Sequence, residues 1–147
     1  MRGANRVSAA PRLSGIMETS LYVADPARAA AFYQDLFGLE AFFHDDRMIA
    51  LGLPAGQVLL LFARGATDAP APVPGGFVIP PHGGTGALHL CFAIPWGELG
   101  AWERHLAARG IAIESRVVWP RGGTSLYFRD PDGHSIELAT PGLWPNA

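Results

Sequence analysis

One order of elements occurs twice in this chain, and that limits the fold more than any other feature. Residues 18–23 alternate Thr19, Leu21 and Val23 against Glu18, Ser20 and Tyr22, the mark of a strand with two unlike faces. Asp25-Pro26 then predicts a helix start, with Asp25 as the cap and Pro26 in the first turn. Ala29, Ala30, Phe32, Tyr33, Leu36 and Phe37 form its apolar stripe, and Gly38 stops it. Three short strands follow at 40–44, 47–51 and 57–62, broken by Asp45-Asp46 and Leu53-Pro54-Ala55-Gly56. A Pro- and Gly-rich stretch, 64–86, has no helical or strand period. The series then resumes: a strand at 87–93, a helix from Pro95 to about Arg109 with Leu99, Trp102 and Leu106 inward, and a strand at 111–118. The turn Asp130-Pro131-Asp132-Gly133 closes the set with a hairpin over 124–139. The pattern is βαβββ, connector, βαβββ, with a repeat of about 50 residues that marks an internal duplication. The reading is therefore an extension (1–15), a first module (16–63), a linker or lid loop (64–86), a second module (87–140) and a tail (141–147).

Composition narrows the function. The 147 residues are 49% hydrophobic and 16% charged, enough for a sizeable core. A net charge of −2 without a basic run argues against nucleic acid. All 11 basic residues are arginine, so Schiff-base and lysine-base chemistry is excluded. The one cysteine, Cys91, cannot form an internal disulfide. The chain suits a reducing cytoplasm, and Cys91 is expected as a core thiol. No apolar run approaches the ~20 residues of a membrane helix. Residues 1–15 carry Arg2, Arg6 and Arg12 but no apolar stretch of a secretory leader, and are expected to be flexible.

Three residues carry the chemical question. In the last strand Glu137 shares a face with Ser135 and Ala139, while Ile136 and Leu138 point the other way. An acid in so apolar a strand is exposed, paired or bound to a cation. Glu18 and His89 lie in the first strands of the two halves. If the halves pack as similar curved sheets, these strands converge on one concavity. One imidazole and two carboxylates suit one divalent ion such as Fe, Mn, Zn, Ni or Co. The plain alternative is a core histidine and two edge acids. Tyr127 and His134 are candidates for moving protons. Arg121 and Arg47 are candidate clamps for a substrate anion, Trp119 an apolar wall, and His82 part of a lid over the site.

The stretches ETSLYVADPARAAAFYQDLFGLE, GALHLCFAI and SLYFRDPDGHSIEL resemble the vicinal oxygen chelate superfamily over residues 16–140. That superfamily includes glyoxalase I, fosfomycin-resistance thiol transferases, bleomycin-resistance proteins and extradiol dioxygenases. The resemblance implies an α+β fold of paired βαβββ modules, a curved mixed sheet around a central cavity, and a homodimer. It implies a divalent metal held by Glu18, seven residues before Asp25, by His89 and by Glu137. Two departures stand out. Glu18 replaces the more usual His or Gln, and Leu60 stands where glyoxalase I enzymes carry a further Glu, which counts against that activity. The function implied is a metal-dependent dioxygenase-, lyase- or transferase-like enzyme acting on a small oxygen-chelating substrate. The alternative is a non-catalytic drug- or metabolite-binding protein that needs no metal.

Overall fold

The computed structural model describes residues 9–146; the first eight residues of the expected extension and Ala147 of the tail lie outside the described residues. Strand β1 (Glu18–Val23) runs into helix α1 (Pro26–Phe37). Asp25 accepts hydrogen bonds from the backbone N–H of Ala27 and Arg28, at 3.0 and 3.4 Å, satisfying donors that a helix start leaves unpaired. Gly38, in the left-handed region at φ 66°, returns its N–H to the Gln34 carbonyl. Strands β2 (Ala41–His44), β3 (Met48–Gly52) and β4 (Val58–Ala63) complete the first module in the order β1-β4-β3-β2.

The connector is not featureless. It holds a hairpin, β5 (Ala71–Val73) and β6 (Phe77–Ile79), turning on Gly75 and Gly76 at φ 92° and 80°. Three residues per strand, one of them Pro72, are too few for alternation to register. Thr67 and His82 close the base: the His82 N–H donates to the Thr67 carbonyl, and the Thr67 hydroxyl donates to the His82 carbonyl.

The second module repeats the first with β7 (His89–Ala93), α2 (Leu99–Ala108), β8 (Ser115–Val118), β9 (Thr124–Arg129) and β10 (Ser135–Ala139), ordered β7-β10-β9-β8. The α-helix begins later than Pro95 because Trp96–Glu98 forms a 3-10 turn. The ladder of β8 begins later than residue 111, at Ser115. The duplication holds in register. β1 pairs in parallel with β4, Glu18 opposite Val58 and Ser20 opposite Leu60. β7 pairs in parallel with β10, His89 opposite Ser135 and Cys91 opposite Glu137. Glu18 is thus the counterpart of His89, and Leu60 that of Glu137.

Each sheet turns one face to the helices and leaves the other open. Leu21, Val23, Leu59 and Leu61 from one sheet and Leu126, Phe128, Ile136 and Leu138 from the other join Tyr33, Leu36 and Leu106 in one continuous buried cluster. Phe37 bridges the modules, with ring centroids 4.6 Å from Phe92 and 5.4 Å from Trp102. The His105 ring lies 2.8 Å from the Leu36 carbonyl, and Arg109 pairs with Asp35. A second joint lies at the β9–β10 turn. Asp132 accepts the Ala24 N–H, and Asp130 accepts the Tyr33 hydroxyl. Among the described residues, no helix is long and apolar enough to cross a membrane.

Candidate functional site

The open face of the second sheet is organised around Glu137, only 5% exposed in mid-β10. Register places Cys91 on one side of it and Tyr127 on the other. Oε1 accepts the Ser125 hydroxyl at 2.5 Å, and Ser125 Oγ accepts the Trp119 indole N–H at 2.8 Å. Oε2 lies 3.1 Å from His89 Nε2. The other His89 nitrogen, Nδ1, lies 2.9 Å from the Ser135 carbonyl. A carbonyl only accepts, so Nδ1 carries the proton. A neutral imidazole then turns the Nε2 lone pair toward a carboxylate oxygen. Two acceptors at that distance repel unless Nε2 is protonated or a cation joins them. An imidazole whose far nitrogen is fixed by a carbonyl, beside a carboxylate steadied by a hydroxyl, is a donor set that fits a metal ion.

The neighbouring groups favour their neutral forms. Tyr127 lies against His89, ring centroids 6.2 Å apart and nearly parallel. Desolvation, then the Glu137 charge, raises the Tyr127 pKa, so its phenol stays a proton donor. Cys91 is exposed on this face rather than in the core. Packing around its sulfur, then the Glu137 carboxylate, push its thiol up to about 12, which keeps the nucleophilic thiolate scarce.

Glu18 lies elsewhere. It lines a cavity of about 420 Å³ on the open face of the first sheet, with Tyr22, Arg47, Phe62, Ile79 and His82. His89 and Glu137 are therefore brought together within one chain, and Glu18 is not among them. Among the described residues, no three His, Cys, Asp or Glu side chains are grouped so as to hold a metal ion. Arg47 and His82 line the same cavity as Glu18, whereas Arg121 is exposed in the 119–123 turn.

His134 departs from its expected role in proton transfer. It is fully buried; Nδ1 accepts the Leu88 N–H at 2.9 Å, which leaves Nε2–H to donate to the Tyr22 carbonyl at 2.8 Å. Both nitrogens are committed to main chain, so the ring fastens the two modules together. Trp119, expected as an apolar wall, acts through its indole N–H. Ser125 was missed by the sequence reading. Its only signal is period two: it shares a face with Tyr127 in a strand that must pair with the Glu137 strand.

Comparison with known proteins agrees with this fold. The chain is 36% identical to lactoylglutathione lyase from Agrobacterium tumefaciens, whose crystal structure matches with a TM-score of 0.82 over 92% of this chain and 99% of that one. It is 30% identical over 114 residues to catechol-2,3-dioxygenase of Bacillus subtilis, covering 76% of this chain and 36% of that protein. It is 38% identical over 53 residues to metallothiol transferase FosB of Bacillus licheniformis, covering 35% of this chain and 34% of that protein. The matched region thus spans about a third of the length of these last two relatives. With paired βαβββ modules, matching neighbours and a family model aligned over residues 15–138, the chain belongs to the Glyoxalase/Bleomycin resistance protein/Dioxygenase superfamily.

Proposed function

We propose that this protein is a metal-dependent enzyme of the superfamily, acting on a small oxygen-chelating substrate, with its metal site shared between two copies of the chain. His89 and Glu137 of one copy and Glu18 of the other hold one divalent first-row ion. The observation that carries this reading is the His89–Glu137 pair. His89 Nε2 and Glu137 Oε2 face each other 3.1 Å apart, an arrangement that a shared cation suits, and their outer partners, Ser135 and Ser125, are already fixed. Register supports the placement of Glu18, which holds in the first module the position His89 holds in the second. Exposed Phe42, Phe43 and Val118 lie on sheet strands that a partner copy would cover. The bound ion would act as a Lewis acid toward substrate oxygens. The chain's own part is to orient Glu137 through Trp119 and Ser125, and to keep a proton on Tyr127 for the substrate. The lone free thiol fits a cytoplasmic setting.

A second reading, a non-catalytic binding protein, rests on Leu60, an apolar side chain where a fourth-strand acid would complete the first sheet. It requires ligand binding that chelators leave unchanged.

The shared site makes an unusual demand on variants. Glu18→Ala and Glu137→Ala each lose stoichiometric metal. Unfolded together and refolded, the pair forms hybrid dimers, each carrying one doubly damaged and one intact site. Metal content measured by atomic emission then recovers to about a quarter of wild type. Wild-type metal in Glu18→Ala, or no recovery on mixing, rejects the proposal.

A further inference from the structure

Arg47 is a half-buried cation in the Glu18 cavity, and none of the ion pairs among the described residues includes it. Its Nε is steadied by the Ala66 carbonyl at 3.4 Å, which leaves the two terminal nitrogens of the guanidinium for another partner. The nearby Asp45 carboxylate oxygen Oδ1 is taken up by the backbone N–H groups of Arg47 and Met48. A partly desolvated guanidinium without a counter-charge is costly unless a ligand supplies one, and its planar fork suits a carboxylate.

Beside Arg47 stands a fixed aromatic wall. The Tyr22 hydroxyl and His82 Nδ1 are 2.6 Å apart. His82 meets Phe62 edge-on at 4.8 Å between centroids, and Tyr22 lies nearly parallel to Phe62 at 6.1 Å. The connector backbone crosses so close at Gly84 that a Cβ there would sit 2.5 Å from the Tyr22 ring. Strand register supplies a ruler. Glu18 opens β1, and Tyr22, level with Phe62 and Met48, lies four residues on. At ~3.3 Å per residue the two ends of the cavity are about 13 Å apart along the strands. Glu18 marks one end and Arg47, next to Met48, the other.

We infer that the substrate is an aromatic acid, its carboxylate held by Arg47, its ring lying along Tyr22, Phe62 and His82, and its chelating oxygens at the Glu18 end. The inference rests on the metalloenzyme reading above for the Glu18 end only; the Arg47 end stands on its own geometry.

Titration calorimetry with 3,4-dihydroxybenzoate and with catechol, each with manganese(II) and with a chelator in its place, separates the two ends. Wild-type protein binds the acid about tenfold or more tighter than catechol, the scale of a charge-assisted bidentate pair. Arg47→Met abolishes that preference and leaves catechol affinity unchanged. Arg47→Lys, a second variant should the first fail to fold, keeps part of it. Equal affinities in the wild type, or a preference that survives Arg47→Met, overturns the inference. Loss of both affinities on chelation supports the metal at the Glu18 end. A preference that persists while chelation changes neither affinity upholds Arg47 and rejects the metal.

Discussion

Tyr33 is a buried phenol that donates to Asp130 Oδ2 at 2.7 Å, tying α1 to the β9–β10 turn. Burial, then the Asp130 charge, drives its pKa upward, so it remains a donor wherever the fold persists. Tyr33→Phe removes the donor while Asp130 Oδ1 keeps the N–H groups of Asp132 and His134. The expected cost is about 1–3 kcal/mol in urea unfolding, the range for a buried charged acceptor losing one partner. Cys91 supplies a pH-dependent test on metal-free protein. Its thiol is raised from 9.0 to about 12, so at pH 8 roughly a thousandfold less thiolate is present than in an unperturbed thiol. Iodoacetamide labelling should be slow despite exposure, and faster in Glu137→Gln, which removes a charge that opposes thiolate formation. Residue by residue, the sequence disclosed the odd chemistry of Glu137, because an acid between Ile136 and Leu138 violates the apolar pattern. It did not disclose Ser125 or the indole of Trp119, ordinary residues whose part depends on which strand lies beside them.

Among the elements, the Asp130–His134 turn does more than reverse the chain. It ends in a histidine that bonds Leu88 before β7 and Tyr22 within β1. His134→Ala would leave the Tyr22 carbonyl and the Leu88 N–H without these partners. The expected loss is about 2–4 kcal/mol of stability, read from chemical denaturation, with metal affinity of the refolded protein unaffected. Helix α1 and the strands were legible because their signals are local: a capping Asp, a Pro in the first turn, a Gly at the end, alternation within one face. The β5–β6 hairpin was not, because three-residue strands carry too little pattern. The late start of α2 reflects a 3-10 entry at Trp96–Glu98 that no side-chain cap enforces.

For the molecule as a whole, two modules share one core, yet their open faces hold different portions of the proposed metal site. Light scattering behind size exclusion should give the mass of two chains, and a monomer that binds stoichiometric metal would contradict the shared site. The paired-module architecture was visible in the sequence because duplication repeats caps, turns and alternation in a fixed order. The placement of Glu18 away from His89 was not, since it depends on how one module lies against the next, and no short-range pattern encodes that. The same arrangement bears on where the chain tolerates interruption. Its halves are fastened by Tyr33, His134, Asp132 and Phe37, while the connector reaches its turn at Gly75-Gly76, out on an exposed hairpin. A break in the backbone at that tip would sever the polymer without undoing any of these fastenings, leaving a nicked molecule in one piece.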